Sequence, residues 1–166
     1  MTKNNLPLNE VSIEQLYLSG EKAIYEIPIY QRNYAWEKDE ITALVQDVYD
    51  AYQKNRDKGS SRVYYIGTLV SFHKGDNVYE IIDGQQRLTT IRLILGALGY
   101  TPMNKLTYRA RKKSDDTIKS LPKFQVDEKD NGIVVGYHHA ETAIKEIVGE
   151  DLPGFGAYFL NNVAHH

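Results

Sequence analysis

The chain has 166 residues, with 20 Lys or Arg against 22 Asp or Glu, a net charge of −2 and a pI near 6.2. That length suits one domain of roughly 100–200 residues, and the balanced charge disfavours an autonomous nucleic-acid binder, which normally carries a net basic face. Without cysteine there are no disulfides, thiolate metal sites or cysteine nucleophiles; with no apolar run near the ~18 residues of a membrane helix and no signal peptide at Met1-Thr2-Lys3, the expected setting is soluble and cytoplasmic.

Ser12-Ile13-Glu14-Gln15 has the form of a capping box and predicts a short helix that Ser19-Gly20 stops. Ala23 to Ile27 reads as a strand closed by Pro28. From Glu37 onward, Ile41, Leu44, Val45, Val48 and Tyr52 recur at helical spacing, with Glu37, Asp39 and Glu40 at the favourable N-terminal end. Lys54 to Arg62 reads as a polar loop. Val63 to Phe72 is β-branched and aromatic and predicts a strand. Lys74-Gly75-Asp76-Asn77 then turns the chain into a second strand over Val78 to Ile82, a hairpin.

Leu88 to Leu98 has helical spacing and is expected to end at Thr101-Pro102. Lys105 to Arg111 alternates loosely as a strand, and Asp115 to Leu121 is a candidate helix. Gly136 to Val148 is a stronger helix, with Ala140, Ile144, Ile147 and Val148 on one face and Glu141 and Lys145 as an i,i+4 pair. Charge is uneven along this half. Residues 105–126 hold seven basic and two acidic side chains, whereas 127–151 hold two and seven. The segments either pair across a surface or leave Lys105, Arg109, Arg111, Lys112 and Lys113 as a nucleic-acid patch.

The chain contains no Gly-x-x-x-x-Gly-Lys-Ser/Thr loop, no His-Glu-x-x-His and no Gly-x-Ser-x-Gly, which excludes the standard P-loop, zincin and serine-hydrolase readings. His138 and His139 are adjacent on a helix and point about 100° apart, poorly placed to share a metal. Asp127-Glu128-Lys129 has the Asp-x-Lys pattern of some nucleases but lies in a polar loop.

Chemistry concentrates in two clusters. In Ile81-Ile82-Asp83-Gly84-Gln85-Gln86-Arg87-Leu88-Thr89-Thr90-Ile91, a strand runs through polar residues and glycine into an apolar helix. Such a junction places backbone N–H groups and a positive helix end at a sheet edge, where anions bind. Gly84 permits close approach, Gln85 and Gln86 offer neutral donors and acceptors, and Arg87 has a planar fork suited to phosphate. Asp83 is suited to hold a divalent cation or orient a water. The plainer alternative is that Asp83 caps the helix, Gly84 makes the turn and Arg87 pairs with an acid. The second cluster is Ile27-Pro28-Ile29-Tyr30-Gln31-Arg32-Asn33-Tyr34-Ala35-Trp36, where aromatic rings crowd a guanidinium. This mixture suits stacking on a base beside a phosphate, or else anchors a loop to the core.

Together with Tyr65-Ile66-Gly67-Thr68-Leu69, these clusters closely resemble the amino-terminal domain of GmrSD-type (type IV) restriction proteins. The resemblance implies an α+β fold of ParB/sulfiredoxin type, a small mixed sheet with packed helices, that binds and hydrolyses a nucleoside triphosphate with Mg²⁺ or a similar divalent cation. It implies Asp83 and Arg87 as catalytic residues, with Asp83 also the metal ligand. Tyr30, Gln31, Arg32, Gly84, Gln85, Gln86, Arg87 and Thr89 would contact the nucleotide. In complete members the domain gates a carboxy-terminal His-Asn-His nuclease acting on modified or foreign DNA. Members usually run on past Asn161-Asn162-Val163 into a further strand and a Phe-Glu-x-x-Asn-x-Arg-Gly motif, absent here. The expectation is therefore an incomplete domain over 1–163, with 164–166 as a tag remnant. A non-catalytic DNA-sensing module and a protein-interaction domain are the alternative functions. A net charge of −2 puts little repulsion in the way of a homodimer.

Overall fold

The capping box forms as predicted in the computed structural model, which describes residues 10–18, 23–28, 34–58, 63–100, 105–108 and 131–165. Ser12 Oγ accepts from the Gln15 N–H at 3.1 Å while Gln15 Oε1 accepts from the Ser12 N–H at 3.0 Å. This starts helix α1 (Ile13–Tyr17), directly after the two-residue strand β1 (Val11–Ser12). The architecture is α+β, with helices packed on two small mixed sheets rather than the single sheet expected.

In the larger sheet the order is β4 (Val70–Gly75), β5 (Val78–Asp83), β2 (Ile24–Ile27) and β6 (Lys105–Tyr108). The predicted hairpin is β4–β5, antiparallel, and its turn sets Asp76 at φ 48°, a conformation aspartate tolerates. β2 then runs parallel to both β5 and β6. Tyr25, Ile27, Ile81 and Leu106 bury one face of this sheet in the core. The smaller sheet is β1, β7 (Val163–His165) and β3 (Tyr64–Gly67), with β7 antiparallel to β1 and parallel to β3. His165, assigned from sequence to a tag remnant, lies in register with Val11 and Gly67.

Val63 to Phe72 is thus not one strand. The chain breaks at Thr68-Leu69, so β3 and β4 belong to different sheets. Gly67 makes the break, at φ 137°. Helix α2 (Lys38–Lys58) also departs from expectation by continuing through residues read as loop. Tertiary contacts hold that extra turn. Asn55 Nδ2 donates to the Tyr158 hydroxyl at 3.2 Å, and Arg56 Nη1 donates to Asp151 Oδ2 at 3.0 Å while its guanidinium sits over the Tyr52 ring.

Helix α3 (Gln85–Ala97) is buried on all sides from Leu88 to Gly96, the pattern of a central helix. It ends at Ala97, followed by Gly99 at φ 90°, ahead of Thr101-Pro102, which lie outside the described residues. Helix α4 (Asn131–Ala143) begins before the predicted start and runs into a π-helical turn over Ile144–Val148. The Glu141 carboxylate meets His138 Nδ1 at 3.0 Å. Helix α5 (Leu152–Asn162), for which the sequence reading assigned no element, buries Phe155, Phe159 and Tyr158. The candidate helix at 115–121 and the Asp127-Glu128-Lys129 pattern lie outside the described residues. Among the described residues no helix is long and apolar enough to cross a membrane.

Candidate functional site

β5 ends at Asp83, and α3 begins two residues later. Gly84 is the N-cap, in the left-handed conformation at φ 101° and ψ 12°, and makes no side-chain cap bond. The first in-helix bond is from Leu88 N–H to the Gly84 carbonyl at 2.8 Å. N–H groups ahead of it have no acceptor within the helix, and glycine has no side chain to offer one. The helix therefore presents its positive end without a built-in carboxylate or hydroxyl cap.

The plainer alternative for this junction is only partly realised. Gly84 does make the turn, but Asp83 is exposed and does not cap the helix. Among the described residues the Asp83 carboxylate makes no hydrogen bond or ion pair, and Arg87 pairs with no acid. Arg87 Nη1 donates instead to the Thr68 carbonyl at 3.3 Å. Its guanidinium lies flat against Gly67, where a Cβ would stand 2.8 Å from Arg87 Cζ. Gly84 is packed from the same side, since a Cβ there would meet Leu69 Cδ1 at 3.0 Å. The Gly67-Thr68-Leu69 crossover thus packs against both Gly84 and Arg87.

Both glutamine side chains are half-buried and hydrogen-bonded within the chain. Gln85 Nε2 donates to the Ile82 carbonyl at 2.8 Å and the Ile81 carbonyl at 3.2 Å, closing the end of β5. Gln86 Oε1 accepts from the Ala35 N–H at 2.7 Å. Thr89 is buried, and its hydroxyl donates to the Gln85 carbonyl at 2.9 Å, so it braces the first turn from behind. Tyr30, Gln31 and Arg32 lie outside the described residues, as do Arg109, Arg111, Lys112 and Lys113. Lys105 opens β6, in register with Ile24 at the edge of the larger sheet.

Sequence reasoning assigned no role to Gly67 and Thr68 or to Thr90. The available signal was Gly67 itself, since a glycine inside a β-branched and aromatic run marks a bulge or a close approach. Nothing local marks Thr90, because its partner, Tyr34, is distant in sequence: their hydroxyls lie 2.7 Å apart.

Among the described residues no three His, Asp or Glu side chains gather into a metal-binding group. A single exposed carboxylate at Asp83 still fits Mg²⁺, which commonly keeps several waters and takes one or two carboxylates together with phosphate oxygens.

No curated protein matches the chain. Residues 13–153 match the sequence profile of the GmrSD restriction endonuclease N-terminal domain, a span that takes in α1 to α4 and the entire β5–α3 junction. The chain belongs to the family of GmrSD restriction endonuclease N-terminal domains.

Proposed function

We propose that this chain is the nucleoside-triphosphate-binding and hydrolysing regulatory domain of a restriction, and hence phage-defence, protein that acts on modified or foreign DNA. The family supplies the restriction setting. The observation that carries the nucleotide reading is the pairing of Arg87 with Thr68. It holds a guanidinium beside an uncapped helix N-terminus, one turn from an exposed carboxylate that has no partner among the described residues.

In this reading the main-chain N–H groups at the start of α3 and the Arg87 guanidinium bind phosphate oxygens. Prepositioned donors of this kind supply most of the stabilisation in phosphoryl transfer, where charge spreads over the transferring group. Asp83 holds Mg²⁺ or orients the water that attacks the γ-phosphorus as its bond to the bridging oxygen breaks. Mg²⁺, when bound, neutralises charge developing on the phosphate oxygens. Gln85, Gln86 and Thr89 support the turn, because their side chains are bonded to carbonyls or to the Ala35 N–H. In the same reading Arg32 contributes to phosphate binding, and Lys105, Arg109, Arg111, Lys112 and Lys113 assist contact with DNA.

Titration calorimetry of GTP and ATP with Mg²⁺ against the wild type and Arg87→Ala tests this. Binding by the wild type and its loss in a variant of unchanged melting temperature support the assignment. A variant that binds as well as the wild type overturns it.

A further inference from the structure

A hydrogen-bonded clamp behind the junction, buried at Tyr34 and Thr90, ties α3 to the segment that leads into α2. The Thr90 hydroxyl donates to the Gln86 main-chain carbonyl at 2.9 Å. A carbonyl only accepts, so the single hydroxyl hydrogen of Thr90 is committed. The 2.7 Å contact between Tyr34 and Thr90 must then run from the Tyr34 O–H to Thr90 Oγ1. Directly beside it, the Ala35 N–H donates to Gln86 Oε1. The relay is therefore directional: Tyr34 donates to Thr90 and Thr90 to the Gln86 backbone, while the Gln86 side-chain oxygen accepts from Ala35.

A third element supports it. On α4, a Cβ at Gly136 would stand 2.7 Å from Tyr34 Cε2 and 3.0 Å from Leu93 Cδ1. The Tyr34 ring thus fills a notch between α3 and α4 that only glycine leaves open. Tyr34 is 6% exposed and Thr90 0%, so neither side chain can touch a ligand at the junction surface.

We infer that Tyr34 and Thr90, backed by Gly136, are positioning residues that hold Gln86 and the first turn of α3 in the geometry that receives phosphate. The inference rests on the nucleotide reading above and extends it to residues that cannot themselves bind nucleotide. Its physical basis is preorganisation. A first turn already fixed by the clamp has less conformational freedom to lose when an anion binds.

The test compares wild type, Tyr34→Phe, Thr90→Val, Thr90→Ser and Gly136→Ala in two readouts: hydrogen exchange at the Ala35 amide without nucleotide, and affinity for Mg²⁺–GTP and Mg²⁺–ATP. Tyr34→Phe, Thr90→Val and Gly136→Ala are expected to speed Ala35 exchange and to weaken binding about tenfold, the scale of one lost buried hydrogen bond. Thr90→Ser keeps the hydroxyl and is expected to restore both to near wild-type values. Variants that release the Ala35 amide yet bind as wild type overturn this inference alone, as does lost binding with Ala35 still protected. A wild type that binds neither nucleotide overturns the functional reading and this inference together. A Gly136→Ala protein that fails to fold is replaced by Tyr34→Phe, which adds no atoms.

Discussion

The guanidinium of Arg87 fills the space that a side chain at residue 67 would need, with Arg87 Cζ only 2.8 Å from where a Cβ on Gly67 would lie. Gly67 also has φ 137°, which L side chains rarely adopt. Gly67→Ala is therefore expected to do two separable things. Backbone strain lowers stability by about 1–2 kcal/mol, and the added methyl pushes the long Arg87 side chain off Thr68. Urea unfolding reads the first effect and nucleotide titration the second. A Gly67→Ala protein that loses stability but binds nucleotide normally would show that the Arg87 contact with the crossover does not position the guanidinium.

Asp83 offers the opposite case, a residue expected to matter for chemistry and hardly at all for folding. It is exposed and unpaired among the described residues, so Asp83→Asn should change stability by no more than about 0.5 kcal/mol. In the proposed mechanism the same change removes the negative charge that holds the cation or orients water. Hydrolysis should fall by at least about 100-fold, with much smaller loss of nucleotide affinity. The comparison needs steady-state phosphate release and calorimetry on the same preparation. Hydrolysis at the wild-type rate would remove Asp83 from the mechanism.

Sequence made the junction legible because its information is local. A strand pattern, a glycine, polar residues and an apolar helix follow one another within 81–91, and the capping box at Ser12 is equally self-contained. What escaped reading depended on distant residues. Lys54 to Lys58 look like loop until Asp151, just before α5, and Tyr158 within it arrive to bind Arg56 and Asn55. The run from Val63 to Phe72 has strand propensity on both sides of Gly67, and the packing of Arg87 against that glycine, where the run divides between two sheets, comes from a distant part of the sequence. Thr90 was invisible for the same reason, since its partner Tyr34 lies on another part of the chain.

Gly84 and Gly75 make a matched pair for separating strain from site geometry. Both have positive φ, 101° and 143°. A Cβ at Gly84 would meet Leu69 Cδ1 at 3.0 Å, whereas nothing lies within 4 Å of one at Gly75, in the hairpin. Alanine at either position should cost about 1–2 kcal/mol through the backbone alone. Only Gly84→Ala should also move the crossover and weaken nucleotide binding. Equal binding by the two variants would show that the approach of Leu69 to Gly84 has no bearing on the site.

Buried and half-buried tyrosines are expected to weaken the fold at alkaline pH. Desolvation raises Tyr34 well above its ordinary value of 10.0, and the charge of Glu40 adds to this. Burial is likewise the first cause of the raised values of Tyr64 and Tyr158. The unfolded chain then releases these protons at lower pH than the folded one. The stabilisation is fully present below about pH 10 and is lost as pH rises from there toward the folded values. Tyr34→Phe should be less stable than the wild type at neutral pH by about 1 kcal/mol, having lost its bond to Thr90. Above pH 10 its stability should decline less steeply, because one ionisation that favours the unfolded chain is gone. Urea midpoints taken stepwise from neutral to alkaline pH, alongside tyrosinate absorbance, test this. Parallel declines in the two proteins would mean that Tyr34 ionises in the folded state as readily as in the unfolded one, and that burial does not hold its proton.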